Sequence, residues 1–250
     1  MIVVEGARVI YPNGTQALKP CTLQFVPGAF TVLLGASGAG KSTLLRSLNG
    51  LVPLTEGRIT VEGRDIAASL RQHRARTGMI FQQHQLIGRR SVLGNVLMGR
   101  LGHHAALRTL LPWRLSEKRM ALDAIERVGL LAYALRRADE LSGGQQQRVG
   151  IARALVQQPS TILADEPVAS LDPTTAVRVL ADLHEICRQD GLTAIVSLHQ
   201  LDLAHRFADR IIGIASGAVI FDGPPEALRE ADIGRIYGTT PQPALVLEIA

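Results

Sequence analysis

An α/β core interrupted by a helical insertion is predicted from three features of this sequence. A glycine-rich loop joins an apolar run to a helix-forming run, further short apolar runs alternate with helical segments, and strand signals stop across a long central stretch. Taken in order, residues 2–10, 22–25, 30–34 and 58–61 read as β-rich, and the first of them suggest an antiparallel N-terminal part. Further strands are expected near Met79, Thr161, Thr193 and Arg210. The helix after the glycine-rich loop, residues 172–188 and residues 200–208 alternate with the later strands. Between Gln83 and Gln158 apolar residues recur at helical spacing, as in Ala121, Leu122, Ile125 and Val128. The expected division is therefore a core of residues 1–83 and 159–250 and an inserted α-helical subdomain of residues 84–158.

With 250 residues and 46% hydrophobic content, the chain is large enough to bury a sizeable core. No run approaches the roughly 18 uncharged apolar residues of a membrane span, and the start Met1-Ile2-Val3-Val4-Glu5 lacks the features of a signal peptide. Cytosolic residence is expected. Cys21 and Cys187 form no metal spacing and are expected as buried or inert thiols, while the pair His103-His104 is expected on a surface loop.

Chemistry concentrates in a few segments. Gly35-Ala36-Ser37-Gly38-Ala39-Gly40-Lys41-Ser42 fits G-x-x-x-x-G-K-[ST] and is followed by the helix-forming run from Thr43, a strand–loop–helix context that marks a phosphate-binding loop. Its glycines let backbone N–H groups approach phosphate, and the helix N-terminus adds partial positive charge. Lys41 would reach the β- and γ-phosphates and the Ser42 hydroxyl would ligate Mg²⁺. The core is accordingly expected to be of the P-loop NTPase (RecA-like) type. A second glycine-rich element, Leu141-Ser142-Gly143-Gly144-Gln145, has two readings. Ser142 and Gln145 satisfy a capping box opening a helix over residues 145–157, and the paired glycines expose N–H groups to an anion. The run 161–166 reads as a buried strand ending in Asp165 and Glu166, where Asp165 would hold Mg²⁺ and Glu166 would deprotonate an attacking water.

In this order these motifs closely resemble those of the ATP-binding-cassette ATPases, over nearly the whole chain. The resemblance implies ATP and Mg²⁺ as cofactors. It makes Tyr11 the aromatic that stacks on adenine, and Gln82, with Gln83 as neighbouring alternative, the glutamine sensing Mg²⁺ and the γ-phosphate. Asp172 in Ser170-Leu171-Asp172 would face the partner subunit, and His199 would contact the γ-phosphate. Each has a plain reading: Tyr11 as a strand-end aromatic, Asp172 as the N-cap of a helix with Pro173 at its first position, His199 as an ordinary surface histidine. Two anion sites in one chain imply a head-to-tail homodimer with ATP sandwiched between the P-loop of one subunit and Ser142 of the other.

Residues 84–140 hold ten Arg or Lys against five Asp or Glu, so this segment supplies the whole net charge of +5. A solvated helical face is the commonest origin of such a bias, and a surface facing anionic lipid or an acidic partner is the second. Nucleic acid ranks last, because aromatics make up only 4% and no stacking platform is evident. Within the family the chain looks like an importer subunit, peripheral to the cytoplasmic face of the inner membrane. It would serve an integral-membrane permease docking near residues 82–100 and, through it, a substrate-binding protein. The runs 81–89, 91–102, 164–172 and 197–200 are similar to those of phosphonate-import ATPases, with phosphite importers as the near alternative; Gly94 departs from the acidic residue that pattern carries. A non-transport cassette acting on ribosomes or DNA would show two cassettes or a long inserted arm, and a silent interaction module would show broken motifs.

Overall fold

The computed structural model describes residues 1–83, 85–104 and 111–238. Among these the strands form two sheets. One has the order β2-β1-β4-β5, built from β1 (Ile2–Ile10), β2 (Gln16–Phe25), β4 (Glu56–Val61) and β5 (Arg64–Asp65), all paired antiparallel. The other has the order β10-β9-β3-β8-β7-β6. Its strands are β3 (Phe30–Leu34), β6 (Thr77–Ile80), β7 (Thr161–Asp165), β8 (Thr193–Leu198), β9 (Arg210–Ala215) and β10 (Ala218–Gly223). Only β10 runs antiparallel to its neighbour.

The expected strand over 22–25 is longer, beginning at Gln16 and passing through Pro20. Proline lacks an N–H and reads as a breaker, but β2 lies at the edge of its sheet, where one missing donor is tolerated.

Strands β3, β7 and β8 are buried along their whole length, as parallel strands covered on both faces must be. Their side chains alternate between two apolar clusters. Leu33, Leu163, Ile195 and Ile212 join Leu44, Leu45 and Leu48 of α1 (Lys41–Leu48) and the inner face of the antiparallel sheet. Val32, Leu34, Ile162, Ala164 and Val196 face the other way, onto α6 (Pro173–Gln189) and α7 (Leu201–Phe207). Cys187 belongs to this second cluster and Cys21 to the first; burial pushes their thiols up to about 12 and about 11, as expected for inert cysteines.

After β6 the described chain carries no named strand until β7. It holds α3 (Val92–Leu97), α4 (Leu115–Arg127) and α5 (Gly143–Leu155), α2 (Leu70–Ala75) having come before β6. Their apolar faces, including Val92, Val96, Ala121, Ile125 and Val149, are continuous with the cluster under the parallel sheet. Helix α5 ties the two together. Its Ala154 packs where Gly78 of β6 leaves room, since a Cβ on Gly78 would lie 3.1 Å from the Ala154 methyl, and Arg153 donates to the Gln85 carbonyl at 2.8 Å. The chain closes, among the described residues, with α8 (Glu230–Tyr237), ended by Gly238 in the left-handed conformation.

His103 is exposed, as expected of the pair, and His104 beside it is half-buried. His103 ends a 3-10 turn with its Nε2 3.1 Å from the Gln157 carbonyl, and His104 pairs with buried Glu117 while its ring tilts against Trp113. The Glu117 carboxylate and the indole give His104 a partner and cover that no linear pattern announced. Among the described residues no group of three or more His, Cys, Asp or Glu is placed to hold a metal, and no helix is long and apolar enough to cross a membrane.

Candidate functional site

The carboxyl ends of β3, β7 and β8 open onto one edge of the parallel sheet, the place where open α/β sheets bind ligands. The loop after β3 turns through Gly38 and Gly40, with φ of 78° and 110°, a region closed to most side chains. Gly35 is required for a different reason: a Cβ there would lie 2.4 Å from the Ile214 carbonyl oxygen. The loop delivers Lys41 and Ser42 at the start of α1.

Lys41 is only 3% exposed, and its ammonium donates to the carbonyls of Gly35 (2.7 Å) and Ala36 (3.1 Å). The same Nζ lies 3.3 Å from Glu166 Oε1. A buried cation is thereby held at the loop by neutral acceptors and one carboxylate. Ser42 Oγ donates to Asp165 Oδ1 at 2.7 Å, and Arg46 approaches Asp165 Oδ2 at 3.3 Å. Thr43, next on α1, shares a 3.2 Å hydrogen bond with the Tyr11 hydroxyl.

Ser197, in β8, binds both acids of the neighbouring strand end. Its hydroxyl donates to Asp165 Oδ1 at 3.1 Å and accepts from the Glu166 N–H at 2.8 Å. Glu166 adopts φ 45°, uncommon for a residue with a side chain, at the point where the strand turns into its loop. His199, just beyond β8 and 44% exposed, has Nδ1 4.0 Å from Glu166 Oε2. The structure thus joins Lys41, Ser42, Asp165, Glu166 and His199 in one constellation. Sequence reading missed Ser197 and Arg46. The available signal for Ser197 was a hydroxyl inside an otherwise apolar strand, two residues before His199.

Gln82 follows β6 and lines a cleft of about 430 Å³ with Gln83, Gln85, Ser170 and Gln146. Among the described residues no hydrogen bond joins it to Ser42 or Asp165. Ser142 caps α5 as its spacing indicates: Gln145 N donates to Ser142 Oγ (3.4 Å) and Ser142 N donates to Gln145 Oε1 (3.0 Å). Gly144 also has a packing reason: a Cβ there would lie 2.5 Å from Thr175 Cγ2, whereas one on Gly143 would make only ordinary contact with Leu171 Cδ2, at 3.6 Å. Asp172 caps α6 by accepting from Thr175 N at 3.0 Å, and hydrogen bonding to the Thr175 side chain first, and to its N–H second, holds its carboxyl pKa below the usual value. The two caps therefore lie side by side, and no hydrogen bond links the 142–145 turn to residues 35–43 among the described residues.

The oxygen donors fit Mg²⁺. Ser42 Oγ and Asp165 Oδ1 are adjacent hard ligands, and Mg²⁺ is commonly held by one or two protein oxygens together with phosphate and water.

Comparison with known proteins agrees with this geometry. The family model described as ABC transporter matches residues 18–169. The phosphonates import ATP-binding protein PhnC 3 of Nostoc sp. is 58% identical, across 95% of this chain and 92% of that protein. The phosphite import ATP-binding protein PxtA of Stutzerimonas stutzeri is also 58% identical, across 96% of this chain and 89% of that one. Among solved structures, cbiO1 of Clostridium perfringens, part of an ABC transporter complex, superposes with a TM-score of 0.80 at 31% identity, covering 94% of this chain and 92% of its own. The dimeric structure of a bacterial ABC transporter cassette superposes with a TM-score of 0.79 at 32% identity, covering 90% and 99%. With a phosphate-binding loop, two strand-end acids and a capped glycine turn on this fold, the chain is an ATP-binding cassette and belongs to the ABC transporter family.

Proposed function

We propose that this chain hydrolyses ATP to drive phosphonate import through a separate permease. The observation that carries the ATPase reading is the meeting of Lys41, Glu166 and His199 beside the Ser42–Asp165 pair. Lys41 would hold the β- and γ-phosphates and Glu166 would accept the proton of the attacking water. The water oxygen bonds to the γ-phosphorus as the bond to the bridging oxygen breaks, releasing ADP and phosphate. Ser42 and Asp165 would hold Mg²⁺, whose charge offsets that of the phosphates, and Gln82 would report its presence. His199 would contact the γ-phosphate and Tyr11 the adenine.

The second glycine-rich turn has no role in a single subunit's site. In a head-to-tail dimer, Ser142, Gly143, Gly144 and Gln145 of one copy would close on the ATP held by the other, with Asp172 at the junction. Residues 84–158 are proposed as the helical subdomain that bears this turn and receives the permease, at the cytoplasmic face of the membrane. A substrate-binding protein would deliver cargo on the opposite side. His84, within the run that resembles phosphonate importers, lies outside the described residues.

Phosphonate is favoured over other cargo by the relatives' names, and phosphite is the second reading because an equally similar relative imports it. The test is growth of a strain lacking this chain on 2-aminoethylphosphonate, on phosphite or on phosphate as sole phosphorus source. Rescue on phosphonate by the wild type and not by Glu166→Gln is expected. Normal growth on phosphonate without the chain would count against the cargo, and rescue by Glu166→Gln against the ATPase.

A further inference from the structure

Helix α8 reaches the sheet edge that carries His199. Tyr237, the last residue of α8, donates its phenolic hydrogen to the backbone carbonyl of His199 at 2.8 Å. His199 lies past the end of β8, whose pairing with β3 stops at Leu198, and before α7 begins at Leu201. Its segment is therefore outside the ladder that fixes the strand. Its side chain is 44% exposed and stands 4.0 Å from the Glu166 carboxylate.

Helix α8 is itself firmly seated. Ile236 packs onto Gly213 of β9, where a Cβ would lie 2.5 Å from Ile236 Cδ1. Gly213 pairs with Leu34, the residue immediately before the phosphate-binding loop, and the next carbonyl, that of Ile214, is the one that requires Gly35. Arg235, Tyr237 and Gly238 line a cavity of about 210 Å³ together with loop residues Ser37 and Gly38. One helix thus borders the phosphate loop and holds the histidine segment. Burial raises the Tyr237 phenol to about 12, so it remains an O–H donor across the working pH range.

We propose that Tyr237 is a positioning residue for hydrolysis: its hydroxyl fixes the main chain at His199 and so sets where the imidazole stands relative to Glu166 and the γ-phosphate. The inference rests on the ATPase reading above. Since small displacements of a catalytic group can cost up to about a hundredfold in rate, loss of one such anchor is expected to lower turnover by about three- to tenfold.

The test is Tyr237→Phe in the full chain, which removes the hydroxyl and keeps the ring. ATP turnover should fall while KM for ATP stays within twofold, and the melting temperature should drop by no more than the few degrees that one lost hydrogen bond costs. A purely structural residue would leave turnover per folded molecule unchanged, or change KM and kcat together. In protein labelled with ¹³C at histidine carbonyls, assigned through His199→Gln, the His199 resonance should shift in Tyr237→Phe. Unchanged turnover, or an unshifted His199 carbonyl, would overturn the proposal. If the wild type does not hydrolyse ATP, the ATPase reading fails separately, and the carbonyl shift still decides whether Tyr237 holds the segment.

Discussion

Lys41 and Glu166 form an ion pair at 3.3 Å in which the ammonium is also bound by two carbonyls of its own loop. The residue that would grip phosphate and the residue that would activate water are thus held in a common geometry by sheet-edge backbone. Their functions separate cleanly by substitution.

Glu166→Gln removes the base and keeps the shape. ATP turnover is expected to fall by about 10²–10⁴-fold, the usual contribution of general-base catalysis, with ATP affinity retained. Size-exclusion chromatography with ATP should show a stable dimer, and a persistent monomer would speak against the sandwich arrangement.

Lys41→Ala removes a charged phosphate donor and leaves Glu166 without its cation. Charge-assisted hydrogen bonds contribute about 1.5–3 kcal/mol, so the Kd for ATP is expected to rise by roughly 10- to 150-fold. Calorimetric titration measures this directly, and an unchanged Kd would remove Lys41 from the binding role.

Ser142→Asp separates the two roles of the capped turn. Aspartate is as good an N-cap as serine, so the melting temperature should hold. A carboxylate facing the γ-phosphate of a partner's ATP should abolish the ATP-driven dimer. A dimer that forms normally would confine Ser142 to capping.

Ser197→Ala leaves the half-buried Glu166 N–H without its acceptor and removes one donor from the buried Asp165 carboxylate. A destabilisation on the order of 1–3 kcal/mol is expected, together with reduced turnover. Thermal denaturation and an ATPase assay check the two effects.

Gly35→Ala drives a methyl to 2.4 Å from a backbone oxygen that has no side-chain freedom to yield. Overpacking of this kind costs about 1–3 kcal/mol, and a chain of this size loses roughly 2–4 °C in Tm per kcal/mol. A variant as stable as the wild type would show that β9 shifts readily at Ile214.

Much of the site was legible because its chemistry is local. The phosphate loop, the capped glycine turn and the strand-end acids each need a few adjacent residues, and hydrophobic runs mark the strands that carry them. What escaped the sequence depends on register. Ser197 meets Asp165 only because β7 and β8 pair at those two residues, and Tyr237 meets His199 across 38 positions. Strand β2 starts at Gln16, ahead of the apolar run 22–25, because Pro20 is accommodated at a sheet edge that only topology reveals. The partner of His104 escaped likewise, since Glu117 is a helix residue whose burial no periodicity announces.

Helix α5 makes two distant loops into one mechanical body. Thirteen residues at about 1.5 Å each give a stiff strut of about 20 Å, with Ser142 at one tip and Arg153 gripping the Gln85 carbonyl near the other. A swing that brings Ser142 toward a second subunit would drag the chain at Gln85, three residues from Gln82. Engagement of ATP across the dimer and the placement of Gln82 would then be two ends of a single stroke.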